Sequence, residues 1–486
     1  MMQKSKLTVI HAADLHLGAP FKGIGASSGG GFFPSELKDT LVQAPYAALD
    51  RLVRLCLEIR PHALLLAGDL YNPECGGLKS LNALKQACQR LEQGGVPVLM
   101  VHGNHDAANL QPSWTWPDNV HIFRADQAES VPLLSKKGLI SLGAPIGEGQ
   151  APGPDADCLA IIHGISHAQE KVSENLSLAV SRHVQKIAAS LPGSAWKIGL
   201  LHCAVGEKAS EGEKPYAPCS MEDLAQTPVD YWALGHIHKR GMVTQNPLAW
   251  YSGNSQGMHI NETGPKGCLI VNFAPGLNPE VSFRNLANVE WHQLDYTASQ
   301  NVSLSALQED LLNLSVKRAV ERAEAKLKGL VIRLRIKGRT GLDGWLREKG
   351  NELQAQIQSA LNSAPNDALP FVWIKDIIIE TSPALDLEKA LASPGLVGET
   401  LNRIAAAQAS VVHSGGASDE LLGGNESPLG KLYNSAALRQ AGIQPPEPAA
   451  LAELLAEAGW LCADLLKAED AAPAQEQLGA ETGNGE

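Results

Sequence analysis

Five short segments carry residue types that could hold metal ions and hydrolyse a phosphoester: Asp14-Leu15-His16, Gly68-Asp69, Gly103-Asn104-His105-Asp106, Leu201-His202 and Gly235-His236-Ile237-His238. Phosphodiester hydrolysis at neutral pH needs a hydroxide-like nucleophile, charge neutralisation on the non-bridging oxygens and protonation of the departing oxygen. Two metal ions roughly 3.5 to 4 Å apart can supply the first two. Holding such a pair takes one carboxylate that bridges both ions and several flanking imidazole or oxygen ligands. Asp14 and His16, two apart in an extended turn, are expected to reach the first ion, and Asp69 to bridge. Asn104 offers a neutral amide oxygen, and His202, His236 and His238 complete the set. Gly235 lets the backbone approach closely, and alternation along an extended segment is expected to send His236 and His238 to one side.

Carboxylate, amide and imidazole without thiolate suit two borderline-hard divalent ions, manganese or iron, with zinc a further candidate. His105, beside a ligand but not needed as one, is placed to contact the scissile phosphate and assist the leaving group as an acid. Asp106 is expected to orient a neighbouring histidine or the loop. His163 also ends an apolar strand and competes with His202, which is preferred because one helix and one strand separate it from His236. His11, His62, His102, His121, His183, His292 and His413 are read as structural.

These segments need elements to position them. Apolar runs at Leu7 to Ala12, Ala63 to Ala67 and Val96 to Val101 alternate with helical patterns at Ala47 to Ile59 and Leu78 to Leu91, an α/β pattern. Further strands are expected at Cys158 to Ile162, Lys197 to Leu201, Tyr231 to Leu234 and Gly267 to Phe273. Each chemical segment directly follows a strand, where open α/β sheets place their ligands. Gly23 to Gly31 and Gly147 to Pro154 read as loops. Strands at Val289 to Tyr296, Leu330 to Lys337 and Phe371 to Glu380 alternate with helices at Ser305 to Lys326, carrying a Ser305/Gln308 capping box, and Gly344 to Leu361. The domain expectation is therefore residues 1–286 for the site, 287–392 for an α+β cap, 393–470 for a helical, partly flexible region, and 471–486 for a disordered tail.

At 486 residues the chain exceeds one compact core. No apolar run is long enough to span a bilayer, and the apolar stretch after the basic start meets His11 and Asp14 too soon for a signal-peptide core, so the expectation is cytoplasmic with no membrane partner. Eight cysteines without a CxxC pair fit reduced thiols. The net charge of -12 is uneven: Asp386 to Glu486 holds 15 acidic and 5 basic side chains, whereas Lys317 to Lys349 holds 11 basic and 4 acidic. A local basic surface is thus compatible with an acidic total.

These motifs resemble the calcineurin-like metallophosphoesterases, among them the SbcD-like DNA repair exonucleases, and most closely the YhaO-like branch. The resemblance extends to His11 to Gly18, Pro20-Phe21-Lys22-Gly23, Ala67 to Tyr71, Tyr231 to His236, Tyr251-Ser252-Gly253-Asn254 and Asn261 to Gly267. It is specific from Leu7 to about Phe273, loose through the α+β segment and nearly absent after Ser393. It implies a metallophosphoesterase β-sandwich flanked by helices, a smaller capping domain that presents DNA, a C-terminal helical tail, and manganese-dependent DNA cleavage, commonly from a 3′ end. It also implies a coiled-coil ATPase partner similar to SbcC; a homodimer stays open. Carried over, Asp14, His16, Asp69 and His238 hold one ion, Asp69, Asn104, His202 and His236 the other, and His105 is the catalytic histidine. At Asn72, archaeal and eukaryotic relatives carry a substrate-positioning histidine, so the resemblance is least secure for duplex DNA.

Two weaker signals remain. In Leu330 to Arg339, Arg333, Arg335, Lys337 and Arg339 share one strand face, either a stripe for a phosphate backbone or a solvated sheet face. Leu451, Leu454, Leu455, Ala458, Leu461 and Leu465 form an apolar helix face that docks on its own chain or on a partner. Taken together, these features point to a two-metal phosphodiesterase acting on DNA, a repair exonuclease; the alternatives are a small-molecule phosphodiesterase and a weakly catalytic DNA-end-binding subunit.

Overall fold

The apolar runs of the first half become the inner strands of two stacked sheets. The first sheet comprises β1 (Leu7–Ala12), β2 (Ala63–Ala67), β3 (Val98–Val101), β4 (Val120–Ile122), β14 (Gly267–Phe273) and β15 (Glu280–Asn285), in the order β15-β14-β1-β2-β3-β4. Strands β1 to β4 run parallel, and β14 and β15 continue the sheet antiparallel. The second sheet comprises β5 (Glu129–Lys136), β6 (Leu139–Leu142), β7 (Asp157–Gly164), β8 (Trp196–His202), β11 (Tyr231–Gly235), β12 (Gly241–Gln245) and β13 (Leu248–Tyr251), in the order β12-β13-β11-β8-β7-β5-β6. A short ribbon of β9 (Ala204–Val205) and β10 (Pro218–Cys219) follows β8. The structure is a computed structural model that describes residues 4–21, 35–110, 114–149, 157–206, 216–363, 368–384, 387–414, 431, 435 and 446–470. The Gly23 to Gly31 loop, residues 150–154 of the second loop and the 471–486 tail lie outside the described residues.

The two-residue period of the strands sorts the core into layers. Val9, Leu65, Leu99 and Val101 of the first sheet meet Val131, Ile162, Ile198 and Ala233 of the second in one buried cluster. On the outer faces, Leu64, Leu66 and Met100 pack against α1 (Ser35–Ile59) and α2 (Pro73–Gln93), while Leu201, Trp232 and Leu234 pack against α3 (Leu176–Ile187) and α4 (Met221–Ala225). The architecture is a helix-flanked α/β sandwich, and the parallel strands β1, β2, β3, β8 and β11 bring their C-terminal ends to one rim.

The next segment folds as β16 (Val289–Thr297), α5 (Leu304–Glu321), β17 (Gly329–Thr340), α6 (Asp343–Ser363) and β18 (Phe371–Pro383), its sheet ordered β16-β17-β18. It is continuous with the sandwich: residues 1–338 and 344–381 form one compact unit. Trp291, Val289 and Val331 bury against Leu37, Leu41 and Ile260, and Arg51 donates to the Ala287 and Lys326 carbonyls and to Asn288 Oδ1. A second compact unit holds residues 339–343 and 382–486, with α7 (Leu387–Leu391), α8 (Leu396–Ser414) and α9 (Pro448–Asp470). There α9 packs on its own chain, burying Leu451 and Ala452 against Val411 of α8 and leaving Leu454 and Leu461 exposed.

Several elements depart from expectation for local reasons. Helix α1 begins a dozen residues early, at Ser35; Leu37, Leu41, Ala44 and Ala48 are buried at helical spacing, but Pro45 interrupts the pattern. The cap of α5 is Ser303, whose Oγ accepts from Ala306 N at 3.2 Å, so no box forms at Ser305 and Gln308. The same helix stops at Glu321, short of Lys326, which is left-handed at φ 52°. Strand β5 is unexpected because Pro132 argues against an inner strand; its register shifts between Leu133 and Leu134, next to the proline.

Three cations of the β17 stripe are paired from the two neighbouring strands. Arg333 donates to both Asp376 oxygens on β18 at 2.6 and 2.8 Å, and Arg335 and Lys337 reach Asp295 on β16 at 2.7 and 2.8 Å. These cross-strand pairs help hold the sheet in register. Arg333→Glu is expected to lower stability by about 1 kcal/mol, read as a shift in the urea midpoint. Adding Asp376→Arg to that variant should restore most of the loss; loss of DNA affinity at unchanged stability would return the stripe to a binding role.

Candidate metal centre

The five segments meet at the common rim, held by backbone conformations that few residue types tolerate. Asp14, His16 and Asp69 sit at φ 51°, 45° and 51°, and His236 at φ 102°. Aspartate and histidine enter this left-handed region more readily than bulkier residues. Asp14 and His16 therefore do not lie in an extended turn, nor do His236 and His238 alternate along a strand. Tight turns aim them instead. Asp14 N donates to Gly68 O and His16 N to Asp69 O, both at 3.0 Å, which locks the first turn to the second. Three glycines permit the approach: a Cβ on Gly235 would lie 1.9 Å from Ala67 O, one on Gly103 2.3 Å from Asp69 Oδ1, and one on Gly68 2.6 Å from His202 Nδ1.

Asp69 occupies the centre. Its Oδ1 accepts from His105 N at 2.8 Å, and its Oδ2 lies 3.4 Å from His202 Nε2 and 3.8 Å from His16 Nε2. Asp106 supports the loop, as expected, accepting from Asp69 N, Leu70 N and Gly103 N at 3.2, 2.9 and 2.7 Å. On one side, His16 Nε2 and His238 Nε2 stand 2.9 Å apart, with Asp14 Oδ1 3.9 Å from the latter. On the other, Asn104 Oδ1 lies 3.0 Å from His202 Nε2 and 3.3 Å from His236 Nδ1. Donor atoms of Asp14, His16 and His238, of His16, Asp69 and His105, and of Asp14, Asp69 and His202 each fall within 4.8 Å of one another. All are buried or half-buried except His105, which is exposed.

The rings are oriented from behind. His202 Nδ1 gives its proton to Ala67 O at 2.9 Å, and His238 Nδ1 to Glu262 Oε1 at 2.6 Å, which turns each Nε2 towards the centre, where a metal ion can replace a proton. With that tautomer, the 2.9 Å contact between His16 and His238 requires a proton or a cation between the two nitrogens. The donor set thus fits divalent ions, with Asp69 within reach of ligands on both sides. Sequence reading did not assign Glu262 a role, because its contact with His238 spans 24 residues that include β12 and β13. It also missed His167, which donates to His202 O at 2.8 Å. His163, by contrast, is buried on Ser130 Oγ at 2.7 Å, outside the cluster, and Asn72 caps α2 by accepting from Glu74 N at 3.1 Å. His11, bound to Tyr231 and Leu234 O, and His121 and His292, on Glu129 and Glu290, are structural as expected.

The electrostatics follow from burial and close charges. Burial pushes His16 down to about 4 and His236 to about 3, the neutral form that ligates. Burial also pushes Asp14 up to about 6. At Asp69 burial is outweighed by His202 and His16, which hold the carboxyl well below its usual range. Burial opposes a charge on His202 too, but Asp69 and Asp14 outweigh it and raise this imidazole to about 9.

Fold and site together define a metal-dependent phosphoester hydrolase. Residues 7–240 match the family model described as calcineurin-like phosphoesterase, and residues 291–382 match the one described as metallophosphoesterase YhaO, middle domain. The chain is 30% identical over 371 residues to the uncharacterized metallophosphoesterase YhaO of Bacillus subtilis (strain 168), covering 76% of this chain and 80% of that one. A solved dimetal phosphatase from Danio rerio is similar at 13% identity and a TM-score of 0.30, over 57% of this chain and 98% of that one. The chain belongs to the calcineurin-like phosphoesterase family. Among its described residues no helix is long and apolar enough to cross a membrane.

Two outcomes follow from the orienting contacts. Glu262→Ala is expected to weaken divalent-ion affinity roughly 10- to 100-fold in a calorimetric titration, with the fold retained by circular dichroism. Loading ions at pH 7.5 should release protons, since His202 is protonated below about 9 in the ion-free site and the ion takes the same Nε2. Affinity should therefore rise with pH towards 9 and fall most steeply below about 6, where Asp14 also binds a proton; a pH-independent affinity would contradict this assignment.

Proposed function

We propose that this chain is a manganese-dependent phosphodiesterase that cleaves DNA, working with a coiled-coil ATPase similar to SbcC. The observation that carries the reading is the placement of His105. It is the exposed imidazole at the edge of a buried ligand cluster, with its own N–H anchored on Asp69 Oδ1 at 2.8 Å and its ring centroid 5.1 Å from that of His16. A substrate phosphate arriving from solvent meets this ring first.

Asp14, His16, Asp69 and His238 would hold one ion and Asp69, Asn104, His202 and His236 the other. When bound, the ions would neutralise the non-bridging oxygens and activate water. The protein's own part is distinct. Asp106 and the three close-approach glycines fix Asp69, Glu262 and Ala67 O fix the imidazoles, and His105 contacts the scissile phosphate and delivers a proton to the departing oxygen. The thiolate-free donor set supports manganese. Support for DNA comes from the motif resemblance that runs from Leu7 to Phe273 and from the middle domain packed on the site-bearing sandwich.

The test is manganese-loaded protein on end-labelled linear DNA beside a chromogenic small phosphodiester. His105→Ala should lose about 10²- to 10⁴-fold in kcat on DNA while retaining metal, and Asp69→Ala should lose metal and activity together. Cleavage of the small ester alone would make the chain a small-molecule phosphodiesterase. DNA-end binding with cleavage equally negligible in wild type and Asp69→Ala would make it a binding subunit.

A further inference from the structure

Beside the metal cluster lies a cavity of about 210 Å³ lined by His238, Lys239, Arg240, Asn254, Lys266 and Phe283, among others. Its character is cationic, and no carboxylate is among its lining residues. Lys266 is only 8% exposed, and its Nζ spends one donor on His238 O at 3.0 Å. Burial pushes this ammonium below its ordinary range, with Glu262 acting against the shift. The Arg240 guanidinium lies flat on Phe283, 3.7 Å from the ring centroid, and has no carboxylate partner among the described residues. Stacking holds the planar fork without using its N–H donors, which remain available to an anion. A second cavity of about 570 Å³ shares Thr263 and Pro265 with the first and continues to His292, Arg318 and Arg322 of the middle domain. Its two arginines are paired, Arg322 with both oxygens of buried Glu290 at 2.6 and 2.9 Å and Arg318 with Glu321 at 3.1 Å, so among the described residues the unpaired guanidinium beside the cluster is that of Arg240.

We propose that the cavity beside His238 is a subsite for a second, non-scissile phosphate of the substrate, held by Arg240 and Lys266 with Lys239 at its edge. The substrate is then a nucleic acid strand rather than a mononucleotide, and the strand leaves the metal cluster past Thr263 and Pro265. This inference rests on the phosphodiesterase reading above. Backbone phosphates held this way fix position and register without reading sequence.

The experiment uses the full chain loaded with manganese and p-nitrophenyl esters of thymidine phosphate, with one phosphate, and of a thymidine dinucleotide, with two. Both 3′- and 5′-linked forms are run because the strand can enter with either polarity. Wild type should prefer the two-phosphate ester in kcat/KM by roughly tenfold in one orientation. Arg240→Ala should erase that preference, and Arg240→Lys, which keeps charge but not the fork, should keep part of it. No preference in wild type in either orientation, or an equal fall on both esters in Arg240→Ala, overturns the subsite while leaving the phosphodiesterase reading intact. Refusal of DNA and of all nucleotide esters, with bis(p-nitrophenyl) phosphate still hydrolysed, overturns the DNA reading and the subsite together.

Discussion

The site depends on keeping the Asp69 carboxylate ionised while buried. An anion removed from water costs several kcal/mol unless it is paired and hydrogen-bonded. Here the compensation comes from three directions. His105 N donates to Oδ1, His202 and His16 face Oδ2, and Asp106 binds the two successive N–H groups of Asp69 and Leu70. His16, His202 and the His105-Asp106 pair come from the ends of three different strands, so satisfying one carboxylate at the end of β2 brings β1, β3 and β8 to finish at the same rim. The sandwich core makes that convergence rigid: Ala67, Leu99, Val101 and Leu200, which lead into these ends, are fully buried in the layer between the sheets.

Convergence leaves almost no room, which explains the glycines and the left-handed residues together. Gly235 passes over Ala67 O so closely that a side chain would meet the carbonyl itself. That same carbonyl takes the His202 Nδ1 proton, so one backbone group both orients a ring and sets the distance between the two sheets at the rim. Asp14, His16, Asp69 and His236 adopt positive φ because only a tight turn can reverse each chain within the space available. Such conformations persist where surrounding contacts over-determine them, as the backbone bonds between the first two turns do.

The middle domain shows how charge and fold divide. Three of the β17 cations, Arg333, Arg335 and Lys337, pair with Asp376 and Asp295 on the neighbouring strands, so the basic pattern serves sheet pairing. The cation that faces an open cavity without a carboxylate partner among the described residues, Arg240, lies instead near His238, where its spacing from Lys266 carries no pattern at all. Arg240 and Lys266 are 26 residues apart in the sequence and line one cavity only because β12, β13 and β14 fold back beside the metal cluster.

Ligand types, their order and the α/β alternation were legible in the sequence, because strands followed at once by Asp, Asn or His encode both element and chemistry locally. Strands β1, β2 and β14 fall where their apolar runs begin and end. What escaped was whatever depends on distant chain or on context against propensity: the early start of α1 across Pro45, β5 with its inner proline, and the cap at Ser303 two residues before a plausible alternative. The sequence by itself determined which atoms could bind metal, since donor chemistry belongs to residue type. Only the tertiary structure decided which imidazole nitrogen faces the centre, that Glu262 and Ala67 O select it, and that the basic stripe is paired while Arg240 is free of any carboxylate among the described residues. Orientation and pairing are through-space quantities set by how the sheets meet, and no local run of residues contains them.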